Sequence, residues 1–361
     1  MVGISYLDNA ATTRVDPRVL KEMLPFFSEY FGNASSNNDF GKLAKVAIDN
    51  AKAKVAKIIN CNNNEIIFTS GATESINLAL KGFTESNIDQ GNHIITVKTE
   101  HNAVLATCEY LETKGFEVTY LDVDKDGLIS LKELESSIKS NTILISIMYV
   151  NNETGVIQPI QKIGKIARLN NITFFCDATQ AIGKVKVDIE KDCIDMLSFS
   201  GHKFHGPKGV GALYVRKGLE LTPLIHGGSQ ELGLRSGTYN TPLIVGLGKA
   251  CELAQLEFKE NVIKMEEEKH SLITYYEENQ IGSFNFKNVK TAPHIISLTL
   301  KNADAEEFLM LKSKELIAST GSACNSGVNE ISHVLRAQGV KDSNNVIRLS
   351  LSSASYQINK I

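Results

Sequence analysis

The chain has 361 residues, 42% of them hydrophobic and 22% charged, with a net charge of -3. That is the balance of an ordinary soluble globular protein, long enough for one large domain and a smaller one. Neither sign of charge dominates, so no whole-protein field favours nucleic acid or an anionic membrane, and no apolar run approaches the roughly 18 residues that span a bilayer. The N-terminus also lacks the basic, apolar and small-residue order of a secretion signal, which makes the cytoplasm the expected location.

In chain order the pattern alternates. A helical stretch is expected from Val46 to Ile59, a strand at Glu65–Ser70 and a helix at Thr73–Phe83. Strand-like runs recur at His93–Val97, Glu117–Leu121, Thr142–Tyr149, Thr173–Cys176, Met196–Phe199 and Gly211–Val215. Apolar strands alternating with helices imply an α/β fold whose largely parallel sheet is covered on both faces. Beyond Thr241 the character changes: long helical segments at Pro242–Ala254 and Lys259–Glu278 precede a strand at His294–Leu300 and a helix at Ala303–Lys314, as expected of a smaller α+β domain. Ser86–Gly91 and Asn279–Lys287 are expected to be plain polar loops.

The six cysteines, Cys61, Cys108, Cys176, Cys193, Cys251 and Cys324, lack C-x-x-C spacing, so neither a disulfide framework nor a zinc site is indicated. Cys176 lies in a strand and Cys251 in an apolar helix, as small core residues do. Cys324 differs, standing in the small-residue run Gly321-Ser322-Ala323-Cys324-Asn325-Ser326-Gly327. An exposed loop of that kind suits a reactive thiol.

Several segments place chemistry at strand ends. Lys203, in Ser200-Gly201-His202-Lys203, lies between small polar residues and a Gly/Pro-rich exit, as suits a lysine that forms a Schiff base. Asp177 ends an apolar strand, where doubly wound sheets hold ligands, and an acid there can keep a pyridine nitrogen protonated. Capping the next turn is an equal alternative for Asp177, and Gln180 and Lys203 beyond it tip the balance towards pyridoxal phosphate. Gly71-Ala72-Thr73-Glu74 follows a strand and offers backbone N–H groups to a phosphate. Taken alone, it is better explained as an ordinary glycine turn capped by Thr73. His101 also follows a strand, where an imidazole can stack on a flat cofactor or move protons, although a lone histidine is more often structural. The turn Asn151-Asn152-Glu153-Thr154-Gly155 can hydrogen-bond a ring hydroxyl, as it can also serve as a turn without a ligand. Arg348 can clamp a carboxylate, with a surface salt bridge as the alternative.

Together these segments resemble the pyridoxal phosphate-dependent cysteine desulfurases of the NifS and IscS type, within the fold-type I, class V aminotransferase superfamily. The match runs from Tyr6-Leu7-Asp8-Asn9-Ala10-Ala11-Thr12-Thr13 to about Ser350, with Ser200-Gly201-His202-Lys203 and Gly321-Ser322-Ala323-Cys324 as its most specific motifs. The resemblance implies a large domain (16–258) with a mostly parallel seven-stranded sheet. It implies a smaller α+β domain (1–15 with 259–361) carrying the cysteine loop. By the same resemblance Lys203 carries the cofactor, Asp177 faces its ring nitrogen and His101 stacks on it as an acid/base. Ala72, Thr73, Ser200 and His202 match phosphate-side positions, and Asn152 and Gln180 match contacts to ring substituents. Thr238 matches a phosphate contact donated by a second subunit, which implies a homodimer. Arg348 matches the residue that holds the substrate carboxylate, with Asn152 beside it, and Cys324 the thiol that receives sulfur.

The implied reaction turns L-cysteine into L-alanine and leaves a persulfide on Cys324. The sulfur then passes to an acceptor protein, for iron–sulfur cluster assembly, tRNA thiolation or DNA phosphorothioation. Phe31-Gly32-Asn33-Ala34 and Asn152-Glu153-Thr154-Gly155-Val156-Ile157-Gln158-Pro159 are similar to the phosphorothioation subgroup, whereas Asn37-Asn38 and Leu232 depart from the wider family pattern. A selenocysteine lyase, another β-elimination or transamination enzyme, and a non-turnover scaffold that binds the cofactor are the rival readings. Cys324 argues against plain transamination, and alanine release from cysteine separates an enzyme from a scaffold.

Overall fold

The computed structural model describes residues 4–321, 332–340 and 344–352. A short strand, β1 (Ser5–Tyr6), is followed by helices at Pro17–Met23 and Asp39–Ile59. The second of these starts seven residues before the apolar periodicity suggests, because Asn38 caps it: its side-chain oxygen accepts from Gly41 N at 2.9 Å.

The large sheet contains β2 (Ile66–Thr69), β3 (His93–Val97), β4 (Glu117–Leu121), β5 (Thr142–Ser146), β6 (Thr173–Asp177), β7 (Met196–Ser200) and β8 (Gly211–Val215). Their order is β2-β8-β7-β6-β5-β3-β4. β8 is antiparallel to both neighbours and all other pairings are parallel. Period-two alternation sends Ile95, Phe174 and Leu197 into one core and Ile94, Phe175 and Met196 into the other. Both faces are therefore covered except along the edge strand β4, and each large side chain so buried contributes about 1.5–3 kcal/mol. This is the expected α/β architecture. The run to Tyr149 leaves the sheet at Ser146, and the helix beginning at Ala72 passes through a π-helical stretch, Leu78–Gly82, before ending at Ser86.

Long helices at Thr241–Leu256 and Phe258–Glu278 lead to β9 (Gly282–Phe284), β10 (Ile295–Leu300), β11 (Leu316–Ile317), β12 (Ser319–Thr320) and β13 (Val346–Ser350). A second sheet has the order β12-β13-β10-β9, and β1 pairs in parallel with β11. β9 corrects the expected plain loop at Asn279–Lys287: Phe284 pairs with Leu298, and this edge strand is too short to show a hydrophobic period of its own. Leu298, Leu300, Ile347 and Leu349 form a third core with Met265, Leu272 and Tyr276 of the long helix. Among the described residues no helix is long and apolar enough to cross a membrane.

Candidate active site

The parallel strands of the large sheet present their C-terminal ends along one edge, the position at which doubly wound folds hold ligands. A cavity of about 540 Å³ opens there, lined by Ala72, Thr73, His101, Asn152, Asp177, Gln180, Ser200, His202, Lys203 and Arg348. Every expected site residue except Thr238 and Cys324 thus lines one space. Cys324 lies outside the described residues.

Lys203 closes a 3-10 turn that begins directly after β7. The turn is drawn tight by Phe204 N and Gly206 N, which both donate to Gly201 O, and a Cβ on Gly206 would stand 2.8 Å from that oxygen. The segment after β1 buttresses it: Thr13 donates to His202 O through its backbone N at 2.8 Å and its hydroxyl at 2.9 Å. Lys203 Nζ donates to Ala10 O and Ala11 O, each at 2.7 Å, and the ammonium of buried Lys184 donates to the Lys203 carbonyl. The lysine that faces the cavity is therefore aimed by the chain's N-terminal segment.

Asp177 both caps a turn and lines the cavity. Its Oδ1 accepts from Thr179 N at 2.9 Å and Thr179 Oγ1 at 2.5 Å, so it caps the turn while still lining the cavity. His101 caps the helix Asn102–Glu112, its Nδ1 accepting from Ala103 N at 3.1 Å. A ring nitrogen that accepts carries no proton, so the neutral imidazole bears its hydrogen on Nε2. Although the ring opens on the cavity, desolvation by the surrounding walls lowers its pKa; Lys203 and His333 add to the effect and Asp177 opposes it. His202 is likewise held down to about 4, chiefly by burial and then by Lys203, and its Nδ1 lies 3.1 Å from Thr12 Oγ1.

At the end of β2 the N-cap is Gly71, with φ 155°, and not Thr73. A side chain on the facing Gly211 would come within 2.7 Å of the Gly71 backbone, so two glycines let the strands converge. The Gly71–Thr73 backbone is thereby left open to the cavity, as a phosphate cradle requires. Asn151, by contrast, is structural: its side chain accepts from Glu153 N and Thr154 N and donates to Thr99 O.

Arg348 is buried in β13 and is not part of a surface salt bridge. Its Nη1 donates to Asn152 O at 3.0 Å, while Nη2 reaches Asp8 Oδ1 at 2.8 Å and Ser319 Oγ at 3.0 Å. Asp8 and Ser319, not singled out as site residues from sequence, therefore set the guanidinium. Glu100, also passed over, is fully buried: its Oε1 accepts from Met148 N at 2.5 Å and Oε2 has no partner among the described residues. Burial, reinforced by the Asp177 charge, pushes this carboxyl well above the usual range. Only its position beside His101 hinted at a role.

Thr238 is exposed and does not line this chain's own cavity. Burial pushes the thiols of Cys108, Cys176 and Cys251 upward and that of Cys61 to about 12. None of these four is poised to ionise at neutral pH.

Comparison with known proteins agrees with this geometry. The curated cysteine desulfurase IscS of Methanosarcina thermophila is 50% identical over 336 residues, spanning 93% of this chain and 83% of that protein. A solved NifS-like protein superposes with a TM-score of 0.92 at 41% identity, covering 98% of this chain and 95% of the other. A structure described as SspA in complex with cysteine superposes with a TM-score of 0.84 at 41% identity, covering 96% and 99%. With residues 5–358 matching the family described as aminotransferase class-V, the chain belongs to that family of pyridoxal phosphate enzymes.

Proposed function

We infer that this chain is a pyridoxal phosphate-dependent cysteine desulfurase, converting L-cysteine to L-alanine and an enzyme persulfide. The observation that carries the reading is the convergence of Lys203, Asp177, His101 and Arg348 on one cavity in a chain so similar to cysteine desulfurases. The donor set fits the cofactor. Lys203 offers the attachment amine, Asp177 a carboxylate for the ring nitrogen, and Gly71–Thr73 with Ser200 and His202 the phosphate side. Asn152 and Gln180 serve the ring substituents. Bound pyridoxal phosphate supplies an electron sink that makes the amino acid's α-proton acidic.

Arg348 grips the substrate carboxylate, its fork already fixed by Asp8, Ser319 and Asn152 O. Lys203 Nζ takes the α-proton, and His101, with its hydrogen on Nε2, is the second acid/base. Cys324, as thiolate, attacks the substrate sulfur. A sulfur–sulfur bond forms, the carbon–sulfur bond breaks, and the carbon keeps the electron pair and is protonated to give alanine. The high thiol pKa values of the other packed cysteines support Cys324 in this role.

A homodimer with composite sites completes the reading. Its support is Thr238, exposed and not among the residues that line this chain's own cavity, and the exposed apolar side chains Leu20, Leu24, Phe27, Phe31, Phe40, Leu43 and Val46 on the N-terminal helices and their connection. We assign residues 16–258 to the large domain, the remainder to the small one, and the enzyme to the cytoplasm with a sulfur-acceptor protein as partner. The test is incubation with L-cysteine, quantifying alanine and mapping sulfane sulfur by alkylation and peptide analysis. Alanine with persulfide on Cys324 is expected; pyruvate without persulfide, or no turnover at all, overturns the reading.

A further inference from the structure

His294 stands immediately before β10, is fully buried, and belongs to none of the motifs above. Its Nε2 lies 3.1 Å from Gln180 Oε1. Gln180 in turn donates through its Nε2 to Ala10 O at 2.9 Å, the same carbonyl that accepts from Lys203 Nζ at 2.7 Å.

These contacts admit one arrangement of protons. A backbone carbonyl only accepts, so the nitrogen end of the Gln180 amide must face Ala10. Its oxygen end then faces the imidazole, and an amide oxygen also only accepts, so His294 must carry its proton on Nε2. The other ring nitrogen, Nδ1, is left as a lone pair with no hydrogen-bond partner among the described residues. Burial, and then the charges of Lys184, Lys269, Arg348 and Lys203, hold the imidazole well below its ordinary pKa, so the ring is neutral and has a single proton to give. Gln180 lines the cavity, and its second amide hydrogen is uncommitted among the described residues.

We propose that His294 is a positioning residue which, by donating Nε2–H to Gln180 Oε1, locks the amide so that it presents N–H and not C=O to the cofactor's ring oxygen. The inference rests on the reading of Gln180 as a contact to a ring substituent. Turned end for end, the amide would aim its oxygen at an electron-rich oxygen and meet Ala10 O with a second acceptor. The lock prevents both at once and ties the amide to the carbonyl that holds Lys203.

The proton assignment is tested on the wild-type holoenzyme with ring-15N histidine, by NMR from pH 6 to 9. The His294 signal, identified by its loss in His294→Gln, should show a neutral ring protonated on Nε2 and unchanged across that range. Protonation on Nδ1, or titration within it, overturns the proposal. The positioning role is tested by cofactor affinity and by the apparent pKa of the visible band. His294→Leu should weaken cofactor retention about five- to tenfold and move the band's titration, the effect of a hydrogen bond to a buried polar group. His294→Gln should restore most of both, because glutamine can place an N–H where Nε2 stands. In a Gln180→Ala background, adding His294→Leu should change nothing further. If Gln180→Ala leaves the band and affinity untouched, the reading of Gln180 falls and takes the proposal with it. If Gln180→Ala moves them but His294→Leu does not, the His294 inference alone is overturned.

Discussion

On the wall of the cavity formed by the large sheet, the side chains proposed to serve the cofactor stand at or just beyond the end of a strand: Asp177 ends β6, Lys203 closes the turn after β7, and His101 caps the helix after β3. On the facing wall Arg348 projects from within β13, and its partners Asp8 and Asn152 lie 340 and 196 residues away in sequence. The first wall is assembled from compact strand-and-turn units carried by the sheet, with the N-terminal segment bracing Lys203. The second exists only once the N-terminal segment, β12 and β13 have come together. Damage to the first wall should therefore abolish cofactor chemistry, whereas damage to the second should loosen substrate binding and leave the cofactor in place.

The sharpest way to break this contrast is Lys203→Ala. The protein should lose the band that borohydride fixes covalently, and turnover should fall on the order of 10³-fold or more, the scale of a positioned acid/base group. Covalent labelling that persists, for example on Lys208, would show that the first wall has been misassigned. Cys324→Ser should be nearly as damaging to turnover yet spare the cofactor spectrum, because a hydroxyl is a far weaker nucleophile towards sulfur at neutral pH. Cys176→Ser and Cys251→Ser, each burying a hydroxyl in a packed element, should cost about 1–3 kcal/mol of stability with turnover retained in whatever folds. Persulfide mapped to either of these two would reverse the assignment.

The second wall is probed by Arg348→Lys, which keeps the charge and loses the fork. KM for cysteine should rise about 10- to 100-fold, the equivalent of roughly 1.5–3 kcal/mol of charge-assisted hydrogen bonding, with the resting visible band unmoved. Asp8→Asn should act in the same direction but more weakly, since Ser319 Oγ and Asn152 O still hold the guanidinium. A change in the resting band in either variant would mean that the two walls are coupled.

The difference between the walls also governs what could be read in advance. The placement of Asp177, Lys203 and Gln180 on the cavity was legible because strand, turn and cavity-lining residue are contiguous, so hydrophobic run and polar terminus appear together in sequence. The sheet was legible for the same reason, its strands other than the edge strand β4 being largely apolar runs buried on both faces. Asp8, Ser319 and His294 were not, because the partner each contacts is distant in the chain and none sits in a local pattern that demands an ionisable or polar residue. Thr73 was misread as a cap because glycine at φ 155° fills that position with no side-chain signature. β9, three residues long at a sheet edge, was too short to show a period.

The smallest expected effect concerns the support beneath Lys203. Burial, with Lys203 adding to it, depresses the Lys184 ammonium to about 7, against roughly 10.4 in an unfolded chain. Between those values the unfolded chain binds a proton that the folded protein does not, so this group makes stability rise with pH through that window. Its contribution is fully present above the unfolded value and is lost as pH falls from about 10 towards 7, with a slope of at most about 1.4 kcal/mol per pH unit. Lys184→Met removes the titrating group and leaves the Lys203 carbonyl without this donor, a penalty that is constant with pH. Urea unfolding of cofactor-free protein at pH 8 and pH 9 should therefore show a smaller gain in stability between them for the variant than for the wild type. Equal gains would mean that Lys184 stays charged beneath Lys203, and the first wall would then rest on a fixed buried cation in place of a neutral amine.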